Sequence, residues 1–556
     1  MGYLIHHSLE AAVERDPAHP AFRCADQELD YSALLRRSRQ LAHLLRDAGL
    51  SAGGRVGIYM PKCLELPVAV YGTLIAGGAY VPIGPGAPPE RVRLLIEDCG
   101  IWHLLTAPAR IARTTARAGE LAPAGAPLRL VVGSDPRQQA AAATSGRGGA
   151  TRWVPWTVLE QLPDGDPGVR RVEEDLAYVM VTSGSTGVPK GLMHTHRSGL
   201  AYAELSAREY GVGPQDRLGN HSPLHFDMST FEYLTGPLCG ATTVIIPEEV
   251  TIFPRSLAEL IERERLSFWY SVPLALIQLL LHGGVEERDC SSLRWVLFGG
   301  EPFPPKHLAR LTALWPHARF SNSYGPAEVN QCTAYHLPPG VWDESRPVPL
   351  GRVWDGAEGL IVGADDEVVA PGEVGELLIR SGTRMRGYWR RPELNRRAFY
   401  RRPTYPDFED VFYRTGDLVR EDEHGELHFL GRKDRQIKVR GYRVELDEVE
   451  QVLCSVEGVR EAAAVALPDP EDEAGLRIAG VVLASAASAD EATPLTVEAL
   501  ARAARAKLPA YAVPSLLEVR RELPRTGSGK IDRRALAEQL AAAVAQATDE
   551  ARKPAR

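Results

Sequence analysis

No apolar run in this sequence approaches the roughly 20 residues that a membrane-spanning helix needs. Its first stretch, MGYLIHHSLEAAVERD, lacks the basic region and apolar core of a secretory signal, so a cytoplasmic location is expected. Cysteine is sparse: Cys24, Cys63, Cys99, Cys239, Cys290, Cys332 and Cys454 lie scattered, none in a CxxC pair. An odd number so dispersed argues against a disulfide framework. Positive charge is not in excess either. A formal net charge of -8 excludes a global attraction to nucleic acid or to an acidic membrane, so neither is expected as a partner.

What is present is an ordinary globular balance, 44% hydrophobic and 24% charged over 556 residues, enough for two or more domains with their own cores. Short β-rich runs (RVGIYM, LAYVMV, ATTVIIP, SFWYSV and WVLFGG) alternate with helical stretches such as PLALIQLLLHGG. That alternation predicts an α/β architecture with largely parallel sheets. Gly119 to Gly149 is rich in Ala, Gly and Pro, and QQAAAATSGRGGA within it reads as a surface loop. Near residue 431 the character changes to the charged GRKDRQIKVRGYRVELDEVE. Beyond it, Val449, Val452, Leu453 and Val456 fall on one helical face, followed by strand candidates EAAAVALP and GLRIAGVVLA and a helix ending at Leu508. The expected division is a core over residues 1–433, a small α+β domain over 434–540, and a polar tail over 541–556, with the end, ALAEQLAAAVAQATDEARKPAR, reading as an Ala-rich helix that fades into that tail.

The stretch TSGSTGVPKG, Thr182 to Gly191, follows the strand candidate LAYVMV. A Gly-rich loop leaving a strand can aim backbone N–H groups at one point, and Ser and Thr add hydroxyl donors, which together make a cradle for phosphate. It is not a Walker A loop: Pro189 stands where Gly should precede the lysine, and Gly191 where Ser or Thr should follow.

Further motifs stand in order around this loop. They are AGGAYVPIGPGAPPERV, HFDMSTFE, NSYGPAE, GELLIRSGTRMRGYW, YRTGDL, GRKDRQIKVRGYRVELDEVE and LPRTGSGKIDRRAL. From about Leu29 to Leu536 the series resembles the adenylate-forming superfamily, and within it the adenylation domains of nonribosomal peptide synthetases. Gly84 and Ala327 depart from the Asp and Thr usual in that branch.

The resemblance implies ATP and Mg²⁺ as cofactors. Its first half-reaction joins an anionic carboxylate to an anionic α-phosphate. Two such charges about 4 Å apart repel by roughly 4 kcal/mol at an effective dielectric near 20, so the site must supply cations. By resemblance, Thr182, Ser183, Gly184, Ser185, Thr186, Gly187 and Lys190 cradle the leaving pyrophosphate. Glu328 is the expected Mg²⁺ ligand, with Thr182 beside it. Asp417 is expected on the ribose hydroxyls with Arg432 assisting, and Asn322 and Tyr324 at adenine; Gly300 and Gly325 complete the nucleotide set. Lys530 is implied as the adenylation lysine, Asp434 as a hinge about which the small domain turns, and Lys438 as part of the loop that then shapes a thiol channel.

The pocket positions carried over by resemblance are Asp227, Met228, Phe231, Tyr270, Leu297, Gly299, Ser323, Gln331 and Cys332, with Lys530. Amino-acid activators use the Asp227 carboxylate to pair the substrate ammonium, and the remaining walls are mostly apolar and neutral. The pattern points to proline or a related small neutral amino or imino acid, with Ser323 and Gln331 able to bond a hydroxyl or ring substituent. No HHxxxDG lies upstream and no GGxS attachment serine is present, so a freestanding enzyme loading the phosphopantetheine of a separate carrier protein is expected. The basic cluster Arg390 to Arg402 is a candidate docking face for that acidic partner. An acyl- or aryl-CoA ligase is the competing reading, and a non-catalytic nucleotide-binding scaffold the third. His194 and His196 lack a third ligand at metal spacing and read as structural; His225 is a possible gate beside the pocket motif.

Overall fold

The computed structural model describes residues 2–108, 128–133, 151–184, 189–469, 472–484, 495–526 and 530–552. Two compact units are present. The first comprises Met1–Pro85, Arg93–Val181 and Lys190–Lys433; the second comprises Gly86–Val92, Thr182–Pro189 and Asp434–Arg556.

The first unit is built on three sheets. In the nine-stranded sheet, Arg319–Tyr324, Trp295–Gly299, Phe268–Ser271, Arg217–Asn220, Thr242–Ile245 and Pro20–Cys24 run parallel in that spatial order. Antiparallel strands close both edges. In the eight-stranded sheet, Leu176–Thr182, Ala79–Pro82, Arg55–Tyr59, Ile101–Thr106, Leu130–Val132 and Arg152–Val154 are parallel neighbours. Lys190–Thr195 and Gly387–Tyr388 extend its other side. The parallel strands are buried on both faces, which is why they read as continuous apolar runs rather than alternating ones. Trp295–Gly299 is buried at every position. The helix Pro273–His282 starts on proline, whose missing N–H costs nothing in the first turn.

Two features depart from the sequence reading. The third sheet, with strands Ala357–Val362, Val374–Ser381, Phe408–Glu421, Phe399–Tyr405 and Leu427–Arg432, is antiparallel throughout. Leu130–Val132 is a buried strand inside the segment Gly119 to Gly149, which composition alone marks only as rich in small residues. QQAAAATSGRGGA lies outside the described residues.

The second unit holds the hairpin Gln436–Val439 and Tyr442–Glu445, turned by Arg440 at φ 52° and Gly441 at φ 81°. Two successive positive φ values make the turn whose twist matches a hairpin. A three-stranded sheet follows, Val459–Asp469, Asp472–Ala484 and Leu516–Arg520. The helix Leu446–Cys454 buries Val449, Val452 and Leu453; Val456 lies past its C-terminus and is only partly buried. The final helix, Arg533–Arg552, is the Ala-rich helix expected at the end of the chain, and it runs on past the boundary set at 541. Its Ala-rich sequence carries the helix past the last buried contact at Leu540.

Burial of His6, His194 and His196 pushes these rings from 6.5 down to about 3, 4 and 3. Each is neutral when folded and takes a proton near pH 6.5 when unfolded, so its contribution is present above 6.5 and is lost as pH falls toward 4. Glu232, buried and raised to about 8, acts oppositely: folded it holds a proton that the unfolded chain has released above 4.5. His221 and His225, buried and lowered to about 3 and 4, take up protons in the same way, and together the five histidines outweigh the release from Glu232, Glu248 and Glu448, which leaves a net uptake on unfolding near pH 5. The thermal midpoint is therefore expected to fall between pH 7 and pH 5, as calorimetry across that range would measure.

Candidate active site

The strand Arg319–Tyr324 leaves the nine-stranded sheet through the turn Gly325, Pro326, Ala327, Glu328. A Cβ added to Gly325 would lie 1.7 Å from the Asn330 carbonyl oxygen, so only glycine fits. Glu328 is fully buried. Its Oε1 accepts from the Tyr388 hydroxyl at 2.8 Å, and that hydroxyl meets Tyr413's at 3.2 Å. Its backbone oxygen accepts from Met385 N at 2.7 Å. His194 Nε2 lies 3.0 Å from the Ala327 carbonyl, which fixes the neutral ring with its proton on Nε2, and the ring stacks on Tyr178 at 4.7 Å. His194 thus braces the turn, and His196 accepts from Ile5 N at 3.2 Å. Among the described residues no cluster of three or more His, Cys, Asp or Glu could hold a metal. Lys190, buried, opens the strand that runs to Thr195.

Asp417 and Arg432 face each other across adjacent strands and form an ion pair. The other Asp417 oxygen accepts from the Tyr324 hydroxyl at 2.5 Å. Tyr324 therefore anchors the carboxylate, a role distinct from the expected adenine contact. Both Asp417 oxygens have protein partners, and a ribose would have to share them through their second lone pairs. Asn322 commits its amide nitrogen to the Pro349 carbonyl at 2.7 Å, orienting its own carbonyl as the remaining acceptor. Gly300 turns the end of its strand at φ 90°.

The pocket positions are placed by register. Tyr270 pairs with Leu297, and Gly299 pairs with Ser323 on the next strand. Gly299 is required there, because a Cβ would lie 2.0 Å from the Ser323 carbonyl oxygen. Phe231 opens a wide turn in which Gly236 N donates back to its carbonyl, and its ring meets Tyr270 edge-on at 5.9 Å. Such wide turns recur at functional sites. Asp227 begins a short helical turn and is half-buried; its Oδ1 accepts from Met228 N at 3.1 Å. Met228 accepts at sulfur from Ser222 Oγ at 3.8 Å. Cys332 is fully buried, and burial pushes its thiol upward, so it is a small apolar wall and not a nucleophile. Tyr210, absent from the expected set, bonds both Ser323 and Gln331. Tyr388 and Tyr413 were missed as supports although both sit in quoted motifs; an aromatic beside a glycine in GYW and a tyrosine opening YRTGDL were the available signals.

The second unit carries the other expected residues. The Thr182 hydroxyl is buried with no hydrogen-bond partner, Ser183 Oγ donates to the Arg443 carbonyl at 3.0 Å, and Gly184 is buried. Ser185, Thr186 and Gly187 lie outside the described residues. Asp434, its first residue after Lys433, accepts from Gln436 N at 3.2 Å. Lys438 pairs with Arg443 in the hairpin, and the exposed Lys530 closes a turn by accepting from Thr526 N at 2.8 Å. The basic cluster of the first unit is largely neutralised internally. Arg391 pairs with Asp98, Arg396 with Glu393, Arg401 with Glu409, and Arg402 with Asp410 and Glu358.

Residues 9–389 match the AMP-binding enzyme family, and residues 448–530 match the AMP-binding enzyme C-terminal domain. The chain belongs to the AMP-binding enzyme family. It is 33% identical, over 97% of its length and 99% of the relative, to an L-proline--[L-prolyl-carrier protein] ligase of Pseudomonas fluorescens. A Streptomyces coelicolor protein with the same description is 36% identical over 80% of this chain and 81% of its own. Among solved structures, the amide bond synthetase McbA of Marinactinospora thermotolerans superposes with a TM-score of 0.80 at 28% identity, over 97% of this chain and 99% of that one. A Vibrio cholerae adenylation domain, AlmE, shares the fold with a TM-score of 0.77 at 23% identity, over 98% of each chain.

Gly325→Ala must displace the turn that holds Tyr324 and Glu328. A shift near 1 Å in a positioning element costs about 10²-fold in rate. Adenylate formation by this variant should fall by that order while its circular dichroism spectrum stays as in the parent.

Proposed function

We propose that this enzyme activates proline or a close imino acid with ATP and passes it to the phosphopantetheine thiol of a carrier protein. The observation that carries the reading is the pocket set: Asp227 is its single carboxylate, set among Phe231, Tyr270, Leu297 and Cys332, with no charged group to match a charged side chain. Similarity to two prolyl-carrier protein ligases over most of the chain supports it.

In the first step a substrate carboxylate oxygen bonds to the α-phosphorus, and the bond from that phosphorus to the bridging oxygen breaks to release pyrophosphate. Lys190 is assigned to the departing phosphates, and Lys530 to the carboxylate and α-phosphate, where negative charge gathers. Asp227 holds the substrate's cationic nitrogen. In the second step the carrier thiol sulfur bonds to the acyl carbon, AMP leaves, and the thiol gives up its proton. Lys438 and the Asp434 hinge are assigned to this step.

The residues fit a nucleotide with Mg²⁺: Glu328 offers buried carboxylate oxygen, and the orphaned Thr182 hydroxyl offers a further hard donor. When bound, Mg²⁺ would neutralise phosphate charge; Glu328 and Thr182 are the residues to hold it.

ATP–pyrophosphate exchange tests the reading. L-Proline or a substituted proline should support exchange, whereas benzoates and short fatty acids should not. Exchange only with the latter acids would return the CoA-ligase reading. Asp227→Ala should cost about 2 kcal/mol or more in kcat/KM, some 30-fold, by removing the partner of a desolvated cation. Lys530→Ala should reduce exchange by about 10²–10³-fold yet leave transfer from preformed aminoacyl-AMP to a carrier thiol within a few-fold. Equal loss of both steps would contradict the assignment.

A further inference from the structure

A directed line of hydrogen bonds runs beside the pocket positions. Gln331 Nε2 donates to the Tyr210 hydroxyl at 2.5 Å and toward the Thr333 carbonyl at 3.5 Å. The second contact fixes which end of the amide is nitrogen, because a carbonyl only accepts. The Tyr210 hydroxyl, occupied as an acceptor, turns its own proton to the serines beside it, Ser323 Oγ at 3.0 Å and Ser321. Ser323 also bonds the Tyr270 hydroxyl. At the other end Gln331 Oε1 accepts nothing, although the residue is only 3% exposed. Trp354 Nε1 is also buried without a partner, in the apolar cluster that contains Phe231, Tyr270 and Leu297. A buried polar atom left unpaired costs about 1–3 kcal/mol, so the Gln331 oxygen favours a ligand that brings a donor to it.

We infer that the substrate completes this line: the pocket selects an imino acid whose ring carries a hydroxyl, and Tyr210 positions Gln331 to read it. A ring hydroxyl is the simplest group that can donate to Gln331 Oε1. The unsubstituted proline ring offers no donor and leaves the orphaned acceptor unpaired. The inference rests on the reading of the chain as an imino-acid-activating ligase.

The test is ATP–pyrophosphate exchange by the full chain with L-proline and with the 3- and 4-hydroxy-L-prolines of both ring configurations. At least one hydroxyproline should exceed L-proline by about tenfold in kcat/KM, since a site built to bond a hydroxyl rejects the analogue lacking it. Tyr210→Phe and Gln331→Leu should each bring that ratio close to one, with the loss for the hydroxylated substrate appearing in KM. A merely structural role would lower both substrates together and keep the ratio. Should a variant fail to fold, the parent's substrate ratio decides alone. A parent that uses L-proline as well as or better than every hydroxyproline overturns this inference and leaves the imino-acid reading standing. Exchange with no imino acid at all overturns both.

Discussion

The first unit depends on the burial of one carboxylate. Glu328 stands at the end of the turn that follows the nine-stranded sheet. It takes a hydrogen bond from Tyr388, on the eight-stranded sheet, and Tyr388 meets Tyr413, on the antiparallel sheet. His194, also on the eight-stranded sheet, holds the carbonyl of the preceding residue. A charge taken out of water is costly unless its lone pairs are satisfied. The three sheets therefore converge on this group, each supplying part of its support, and the carboxylate becomes a fixed point of the architecture.

The same economy governs the ribose-side network. Asp417 and Arg432 come from adjacent antiparallel strands, so their pairing is a consequence of register, and Tyr324 reaches the second carboxylate oxygen from another sheet. Any hydroxyl bound there would share lone pairs within a prebuilt network, which keeps the carboxylate oriented beforehand. Burial also sorts the cysteine and histidine chemistry. Cys332 is raised in pKa and so serves as wall, and His194 is lowered and so serves as a neutral brace.

The expected pocket positions show how parallel strands bring distant residues into register. Successive residues of one strand alternate between faces, so Leu297 with Gly299 and Ser321 with Ser323 present matched pairs on one side of the sheet. Glycine at 299 is dictated by its neighbour's backbone, whereas the chemistry of the wall is left to Tyr270, Ser323 and Gln331.

By itself the sequence determined the order of motifs and the α/β class, and it singled out Lys190, Glu328, Asp417 and Lys530 as candidates, because phosphate and metal chemistry restricts which residue types serve and leaves them in short local patterns. The apolar parallel strands were legible for the same reason: burial on both faces writes itself into composition. The antiparallel third sheet was not read as such, since a strand's partner depends on register between distant segments. The Ala-rich last helix was legible but its boundary with the tail was not, because alanine helix propensity outlasts the buried contacts that mark a domain's end. Only the tertiary structure decided that Tyr324 braces Asp417, that Tyr388 braces Glu328, and that Tyr210 links Gln331 to Ser323. Each of these is a hydrogen bond between residues tens to more than a hundred positions apart. Its geometry is set by packing, and no local pattern in the chain records it.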